Sequence, residues 1–271
     1  MRFGYDGAGF RGWARQPGQR TVEGEIRRGL VQLDAIRPAD LAAVEVASRT
    51  DRGVSARANA LVVPSELDAG SLLERMNAID PEIFFSATVE VDSTFRVRAA
   101  RRRIYRYFDP TPDPDLARRR EVAAFFAGSI DVRSLGRGIP GSSPVRRWVE
   151  SVTVRPLGRG SMFEVRAPSF VWGMVRKIVG SVRAAEAGRL DVAQLRDALA
   201  GRVRLSLPMA ESDPLVLWDV EYPLRWTAQW SGRRPAQLRH WRAVRAAEWA
   251  RGYVLRSLEG GSPPPPRVRG R

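Results

Sequence analysis

The stretch Ala47-Ser48-Arg49-Thr50-Asp51-Arg52-Gly53-Val54-Ser55-Ala56 places one acid between two arginines, next to a glycine that favours a turn. Apolar, β-branched runs flank it at Leu41–Ala47 and Ala58–Val63, and each run predicts a short strand. Asp51 is therefore predicted on a strand-connecting loop, where a rigid scaffold can position a reactive side chain. An Asp-x-Gly sequence alone is more often only a turn, so other features of the chain must distinguish the two interpretations.

The chain is strongly basic. Its 271 residues carry a formal charge of +15, and Lys177 is the only lysine among 45 basic residues. Arginine presents a planar fork of donors that suits phosphates and stacks on bases. A GC-rich genome would explain the preference for arginine over lysine, but not the excess of basic over acidic residues. We therefore expect a polyanionic partner, with RNA or DNA as the leading class.

Several residue types that carry common chemistries are scarce or missing. The chain has no cysteine, which excludes disulfides, thiol nucleophiles and cysteine-ligated metals. Its single histidine, His240, argues against a multi-histidine metal site or a Ser-His-Asp triad. Acid–base or nucleophilic chemistry must then use Asp, Glu, Tyr, Ser, Thr or the lone lysine. No stretch reaches membrane-spanning length, and we expect a soluble cytoplasmic protein.

The order of predicted elements favours an α+β class with a largely antiparallel sheet, because strands and helices are mixed without strict alternation. The Pro- and Asp-rich segment 109–115 predicts a joint between two units. We therefore divide the chain into a first subdomain, 1–108, which carries the Asp51 loop, and a second, 109–224. A basic helical extension, 225–271, follows and ends in a proline-rich tail that we expect to be disordered.

The N-terminal loop interleaves aromatic rings with guanidinium groups. Tyr5, Phe10 and Trp13 alternate with Arg11 and Arg15, a pattern that can stack bases and grip a nucleic acid backbone. The alternative is an ordinary loop whose aromatic rings fold back onto the core, and this alternative carries the greater weight from sequence.

Two further segments present unusual side chains. In the predicted strand 103–108, Tyr105 and Tyr107 share a face, where a tyrosine can stack on a base or simply pack across strands. In a predicted helix over 170–188, Arg176 lies near Gly173 and Gly180. Each glycine costs a helix roughly 1 kcal/mol, so the pair suggests that another backbone or a ligand approaches there. Arg176 is then a candidate partner for a carboxylate or phosphate.

Taken together, these segments resemble the TruA family of tRNA pseudouridine synthases. The similarity covers about residues 1–223 in five blocks that follow the family's order. The blocks are Tyr5-Asp6-Gly7 through Gly12-Trp13 to Gln16, the Ser48–Ala56 stretch, Phe95-Arg96-Val97-Arg98 to Tyr105-Arg106-Tyr107, Phe170 to Gly180, and Pro214 to Tyr222. The chain departs from the family pattern at Ser55 and Arg96, where histidine is common, and its segment between residues 109 and 145 is shorter.

The resemblance implies a pseudouridine synthase fold, in which two RRM-like α+β subdomains share an extended, mostly antiparallel sheet. It also implies isomerisation of uridine to pseudouridine in the anticodon stem-loop of tRNA, at tRNA positions 38–40. The implied partner is tRNA, the implied assembly is a homodimer, and no metal or cofactor is expected. Two alternatives stay open: an RNA-binding relative without activity, and the same chemistry on other uridines.

The resemblance also implies roles for individual residues. Asp51 is the implied nucleophile, Arg176 its ion-pair partner, and Tyr105 the side chain that stacks on the target base. Substrate contacts are implied for Arg49, Arg98 and Leu217, and RNA contacts for Arg11, Trp13, Arg15 and Arg52.

Overall fold

A computed structural model of the chain describes residues 1–136, 138–139, 145–229, 237, 239–240 and 242–248. The strands are β1 (Arg2–Tyr5), β2 (Glu45–Val46), β3 (Ser55–Val62), β4 (Ile83–Thr88), β5 (Arg102–Asp109), β6 (Gly128–Asp131), β7 (Arg146–Val149), β8 (Ser151–Leu157), β9 (Gly160–Ala167), β10 (Leu215–Glu221) and β11 (Ala228–Gln229). The helices are α1 (Val22–Gln32), α2 (Ala69–Met76), α3 (Leu116–Ala124), α4 (Met174–Glu186) and α5 (Val192–Ala200).

Side-chain caps set the starts of four of these five helices. Thr21 accepts a hydrogen bond from a backbone N–H of the first turn of α1, and Asp68, Asp115 and Asp191 do the same for α2, α3 and α5. Each cap satisfies a donor that the helix itself leaves unpaired. Helix α4 differs, because its cap position is Gly173 in a left-handed conformation. None of the helices in the described ranges is long and apolar enough to cross a membrane.

The strands form one nine-stranded sheet and a separate hairpin. The large sheet has the order β11-β4-β1-β3-β10-β5-β9-β8, with β2 paired to β3, while β6 pairs with β7. All pairs are antiparallel except β3 with β10. The sheet contains two βαββαβ units of the same strand order, one built on β1–β4 and the other on β5, β8, β9 and β10. The predicted α+β class with a mostly antiparallel sheet is confirmed.

The two units meet along one edge of β3. At its end, Leu61 and Val62 pair with β2 of the same unit. At its start, Ser55 and Ala56 pair with β10 of the other unit. The segment 47–54 links the end of β2 to the start of β3. The predicted Asp51 loop therefore lies at the junction of the two units.

The division at residue 108 stays a prediction. All but the last residue of the strand Arg102–Asp109 falls in the first predicted segment, yet the strand pairs with β9 and β10 of the second. The C-terminal extension is described only in part: β11 lengthens the sheet beside β4, and residues 242–248 are helical. The tail that we expect to be disordered lies outside the described residues.

Two element boundaries predicted from sequence are wrong. The first three residues of the strand expected over 41–47 belong to a 3₁₀ helix, Pro38–Ala43, and only Glu45–Val46 pairs in the sheet. Pro38 at the start of this 3₁₀ helix fits helical geometry and has no N–H to donate to a neighbouring strand. The helix expected from Phe170 begins at Met174, because the backbone of Gly173 has a φ of 79°. Phe170 therefore lies before the helix.

A buried ion-pair network fixes α3 against the second unit of the sheet. The Arg119 guanidinium is almost completely buried and lies 2.6 Å from Asp109 and 2.6 Å from Glu186. It also donates to Ser161 Oγ at 2.7 Å. Asp109 is fully buried as well, so removal of its cation would leave a charge in the core without compensation.

We expect Arg119→Met to lower the free energy of unfolding by about 3–5 kcal/mol, because Asp109 would lose its buried counter-ion. Urea denaturation followed by circular dichroism measures this loss. The matched control is Arg118→Met, which removes an exposed pair with Glu121 and should cost no more than about 1 kcal/mol. Equal losses in the two variants would contradict the assignment of a structural role to Arg119.

Candidate active site

A cavity of about 650 Å³ opens at the seam between the two units. Its wall combines the loop before β3, strand β5, the segment before α4 and the start of β10. The lining side chains include Asp51, Arg103, Tyr105, Trp172, Arg176 and Leu215, together with Arg49, Arg98 and Phe170. This volume lies in the range typical of small-molecule sites.

The loop that carries Asp51 is anchored at the preceding residue. The Thr50 hydroxyl shares a 2.7 Å hydrogen bond with the Tyr5 hydroxyl, and the Thr50 carbonyl accepts one from Trp13 N at 3.0 Å. After Asp51, the chain turns through Gly53 at a φ of 83°, a conformation that favours glycine. These contacts hold the carboxylate between a tied residue and a fixed turn.

Arg103 connects this loop to two other segments of the wall. Its guanidinium donates to Ser48 Oγ at 2.9 Å, to the Ala47 carbonyl at 2.9 Å, to the Arg98 carbonyl at 2.8 Å and to the Pro168 carbonyl. The side chain is buried, which lowers its pKa, and all four acceptors are neutral oxygens. One cation thus holds together the Asp51 loop, the 98–102 segment and the approach to α4.

Sequence reasoning missed Arg103, although a pattern was available. Every second residue of a strand lies on the same face, so Arg103 shares a face with Tyr105 and Tyr107. An arginine in line with two inward-facing tyrosines predicts a buried guanidinium that needs several acceptors.

Both oxygens of the Asp51 carboxylate receive a hydrogen bond. Arg176 Nη1 lies 3.1 Å from Oδ2, and Trp172 Nε1 lies 2.5 Å from Oδ1. The Asp51 side chain keeps 26 % of its accessible surface, so it faces the cavity rather than the core. The arrangement presents an ion-paired carboxylate to whatever occupies the cavity.

The backbone segment at Ala210 crosses close to α4 and fixes Arg176. Arg176 Nε donates to the Ala210 carbonyl at 2.7 Å, while the Arg176 carbonyl accepts from Ala210 N at 3.0 Å. A Cβ on Gly180 would lie 2.4 Å from the Pro208 carbonyl oxygen, so only glycine admits this segment. The close approach predicted beside Gly180 is confirmed, whereas Gly173 is required by its positive φ.

Tyr105 is largely buried and forms part of the cavity wall. Its ring meets the ring of Phe170 edge to face, with centroids 5.1 Å apart. Burial raises the pKa of Tyr105 to about 12, against a hydrogen bond with Ser48 that lowers it. The hydroxyl therefore stays protonated at neutral pH and can act as a donor.

The predicted substrate- and RNA-binding arginines are exposed. Arg49 and Arg98 lie on the cavity wall with exposed side chains. Arg11, Arg15 and Arg52 are exposed as well. The geometry leaves these five guanidinium groups available to a polyanion.

Two residues that were predicted to contact RNA or the substrate are buried in the structure. Trp13 is only 3 % exposed, and its ring packs against Phe3 with centroids 5.7 Å apart, so it belongs to the core. Leu217 is fully buried, while Leu215 lines the cavity. The two leucines share one face of β10, and sequence alone does not show which of them reaches the cavity.

Comparison with known proteins yields one family. A family profile described as tRNA pseudouridine synthase matches residues 122–223. A tRNA pseudouridine synthase A from Thermococcus kodakarensis is 38% identical over 225 residues, which cover 82% of this chain and 84% of the relative. The proteins of the same name from Thermococcus onnurineus and Pyrococcus horikoshii are 35% and 34% identical, with the same coverage of both chains.

Among solved structures, a chain of a Cbf5-Nop10-Gar1 complex is similar with a TM-score of 0.38 and 15% identity, over 67% of this chain and 44% of that chain. The relatives from Thermococcus and Pyrococcus, by contrast, match most of both sequences at more than 30% identity. The chain therefore belongs to the TruA family of tRNA pseudouridine synthases.

Proposed function

We propose that this enzyme isomerises uridine to pseudouridine in the anticodon stem-loop of tRNA, with Asp51 as the nucleophile. The observation that carries the proposal is a carboxylate held by Arg176 in a cavity of about 650 Å³, with Tyr105 in the same wall. That volume accommodates a single nucleotide once it has left the base stack. The choice of the anticodon arm, at tRNA positions 38–40, rests on the resemblance to the family.

The reaction rearranges one nucleoside and consumes no other reactant. Asp51 attacks C1′ of the extruded nucleoside, and the bond between N1 of the base and C1′ breaks as the bond between Asp51 and C1′ forms. The detached uracil turns within the cavity, and its C5 bonds to C1′ while the bond between C1′ and Asp51 breaks and the free carboxylate is regenerated. The proton lost from C5 and the proton gained at N1 complete the isomerisation.

The neighbours of Asp51 suit this chemistry. The Arg176 guanidinium stabilises the negative carboxylate in a partly enclosed site, as charge-assisted pairs do. Tyr105 offers its ring to the base and a protonated hydroxyl for a hydrogen bond. Phe170, packed on Tyr105, helps to keep water from the detached base.

Exposed arginines would hold the tRNA around this cavity. Arg49 and Arg98 border the entrance and suit phosphates of the extruded nucleotide. Arg11, Arg15 and Arg52 would contact the RNA backbone farther out. The formal charge of +15 supports binding of a long polyanion. A homodimer in the cytoplasm is part of the same proposal and rests on the resemblance alone.

Asp51→Asn should abolish pseudouridine formation, by at least about 10³-fold, because an amide is a poor nucleophile. Unmodified tRNA is incubated with the purified protein, and pseudouridine is mapped by a chemical adduct and primer extension. Affinity for tRNA should stay within about threefold of the wild type. Product formed at the normal rate by Asp51→Asn would refute the nucleophile assignment. If the wild-type protein binds tRNA but forms no product, the chain is a silent RNA-binding relative.

Arg49→Ala should weaken tRNA binding several-fold and flatten its salt dependence. Loss of one phosphate contact reduces the slope of log affinity against log salt by about 0.7–0.9. Filter binding at several salt concentrations measures both quantities. Arg155→Ala serves as the control, since Arg155 is exposed on β8, outside the cavity. An unchanged slope in Arg49→Ala would count against a phosphate contact at this position.

A further inference from the structure

Trp172 is a large aromatic side chain at the cavity that the proposed chemistry does not use. It lies in the turn before α4, lines the cavity and keeps 54 % of its surface exposed. Its indole N–H nevertheless makes a short contact with Asp51 Oδ1.

The contact engages one of the two carboxylate oxygens. The indole nitrogen lies 2.5 Å from Oδ1, a short hydrogen bond to a charged acceptor. While the indole donates here, its ring partly covers Oδ1, and the Asp51 side chain keeps 26 % of its surface open to the cavity. The other oxygen, Oδ2, already faces Arg176.

The two donors to Asp51 differ in how firmly they are fixed. Arg176 belongs to α4 and is tied twice to Ala210. Trp172 precedes the helix and is followed by Gly173, whose φ of 79° marks the point where the backbone leaves helical geometry. Displacement of Trp172 therefore moves a turn that precedes the helix, whereas displacement of Arg176 would disrupt the packed helix and the backbone at Ala210.

We propose that Trp172 covers the Asp51 carboxylate in the free enzyme and is displaced when the target nucleotide enters, its ring then stacking on an unpaired base of the tRNA. This inference rests on the proposed role of Asp51. Arg49 and Arg98 are exposed at the same cavity, and phosphates bound by them would lie next to the ring. An indole beside guanidinium groups is the usual combination for unstacked bases.

Displacement can be observed directly by fluorine NMR of protein labelled with 5-fluorotryptophan. The Trp172 signal is assigned by its loss in Trp172→Phe. We expect it to move when unmodified tRNA saturates the protein, and also in Asp51→Ala without tRNA, since the hydrogen bond is then missing. Trp148, an exposed tryptophan outside the cavity wall, should not respond to Asp51→Ala. A Trp172 signal that stays unchanged at saturating tRNA would overturn the proposal.

The kinetics of two Trp172 variants distinguish the contribution of the indole N–H from that of the ring. Trp172→Phe keeps a ring but loses the donor, so KM should lie at or below the wild-type value. Trp172→Ala loses the stacking surface, and KM should rise about tenfold with kcat within about threefold. Trp148→Ala is the matched control, and thermal unfolding verifies that each variant is folded. A kcat that falls equally in Phe and Ala variants would show that the N–H serves the reaction itself and contradict the proposal.

The two readouts keep this inference separate from the proposed function. If Asp51→Asn remains active while tRNA still moves the Trp172 signal, the nucleophile assignment fails and displacement stands. If Asp51→Asn is inactive and the signal does not move, the nucleophile assignment stands and displacement fails.

Discussion

The divided edge of β3 is the constraint on which the candidate site depends. One edge of this strand pairs with β2 at Leu61 and Val62 and with β10 at Ser55 and Ala56. The chain that links β2 to β3 must therefore cross the junction between the two βαββαβ units. Asp51 reaches a cavity walled by both units because its loop is confined to this junction.

Arginine serves as the structural cation of this fold. Arg103 joins three wall segments through neutral oxygens, which satisfies its donors without placing a carboxylate close to Asp51. Arg119 performs the corresponding task in the core with Asp109 and Glu186. Five planar donors suit a side chain that must hold several segments at once, and a lysine offers fewer directions. The strong basic composition thus reflects internal structure as well as the nucleic acid partner.

The sequence was informative where a local pattern has one physical cause. The α+β class followed from the mixed order of strand and helix patterns, and the Asp51 loop from a glycine turn before the strand-like run 58–63. The backbone approach beside Arg176 followed from Gly180. Prediction failed where two placements share one pattern. The resemblance assigns Trp13 to RNA although its loop pattern favours the core, where the structure places it, and Leu215 and Leu217 share one strand face. The contact of Trp172 with Asp51 joins residues 121 positions apart, which no local periodicity encodes.

The central claim is that the Asp51 carboxylate reacts because Arg176 holds it across the junction. Single-turnover pseudouridine formation by Arg176→Met, with tRNA affinity measured in parallel, tests this claim most directly. The account predicts a rate lower by about 10²–10³-fold with affinity within about threefold. Arg183→Met, which removes an exposed pair on the same helix, should react at nearly the wild-type rate. A normal rate in Arg176→Met would contradict the account.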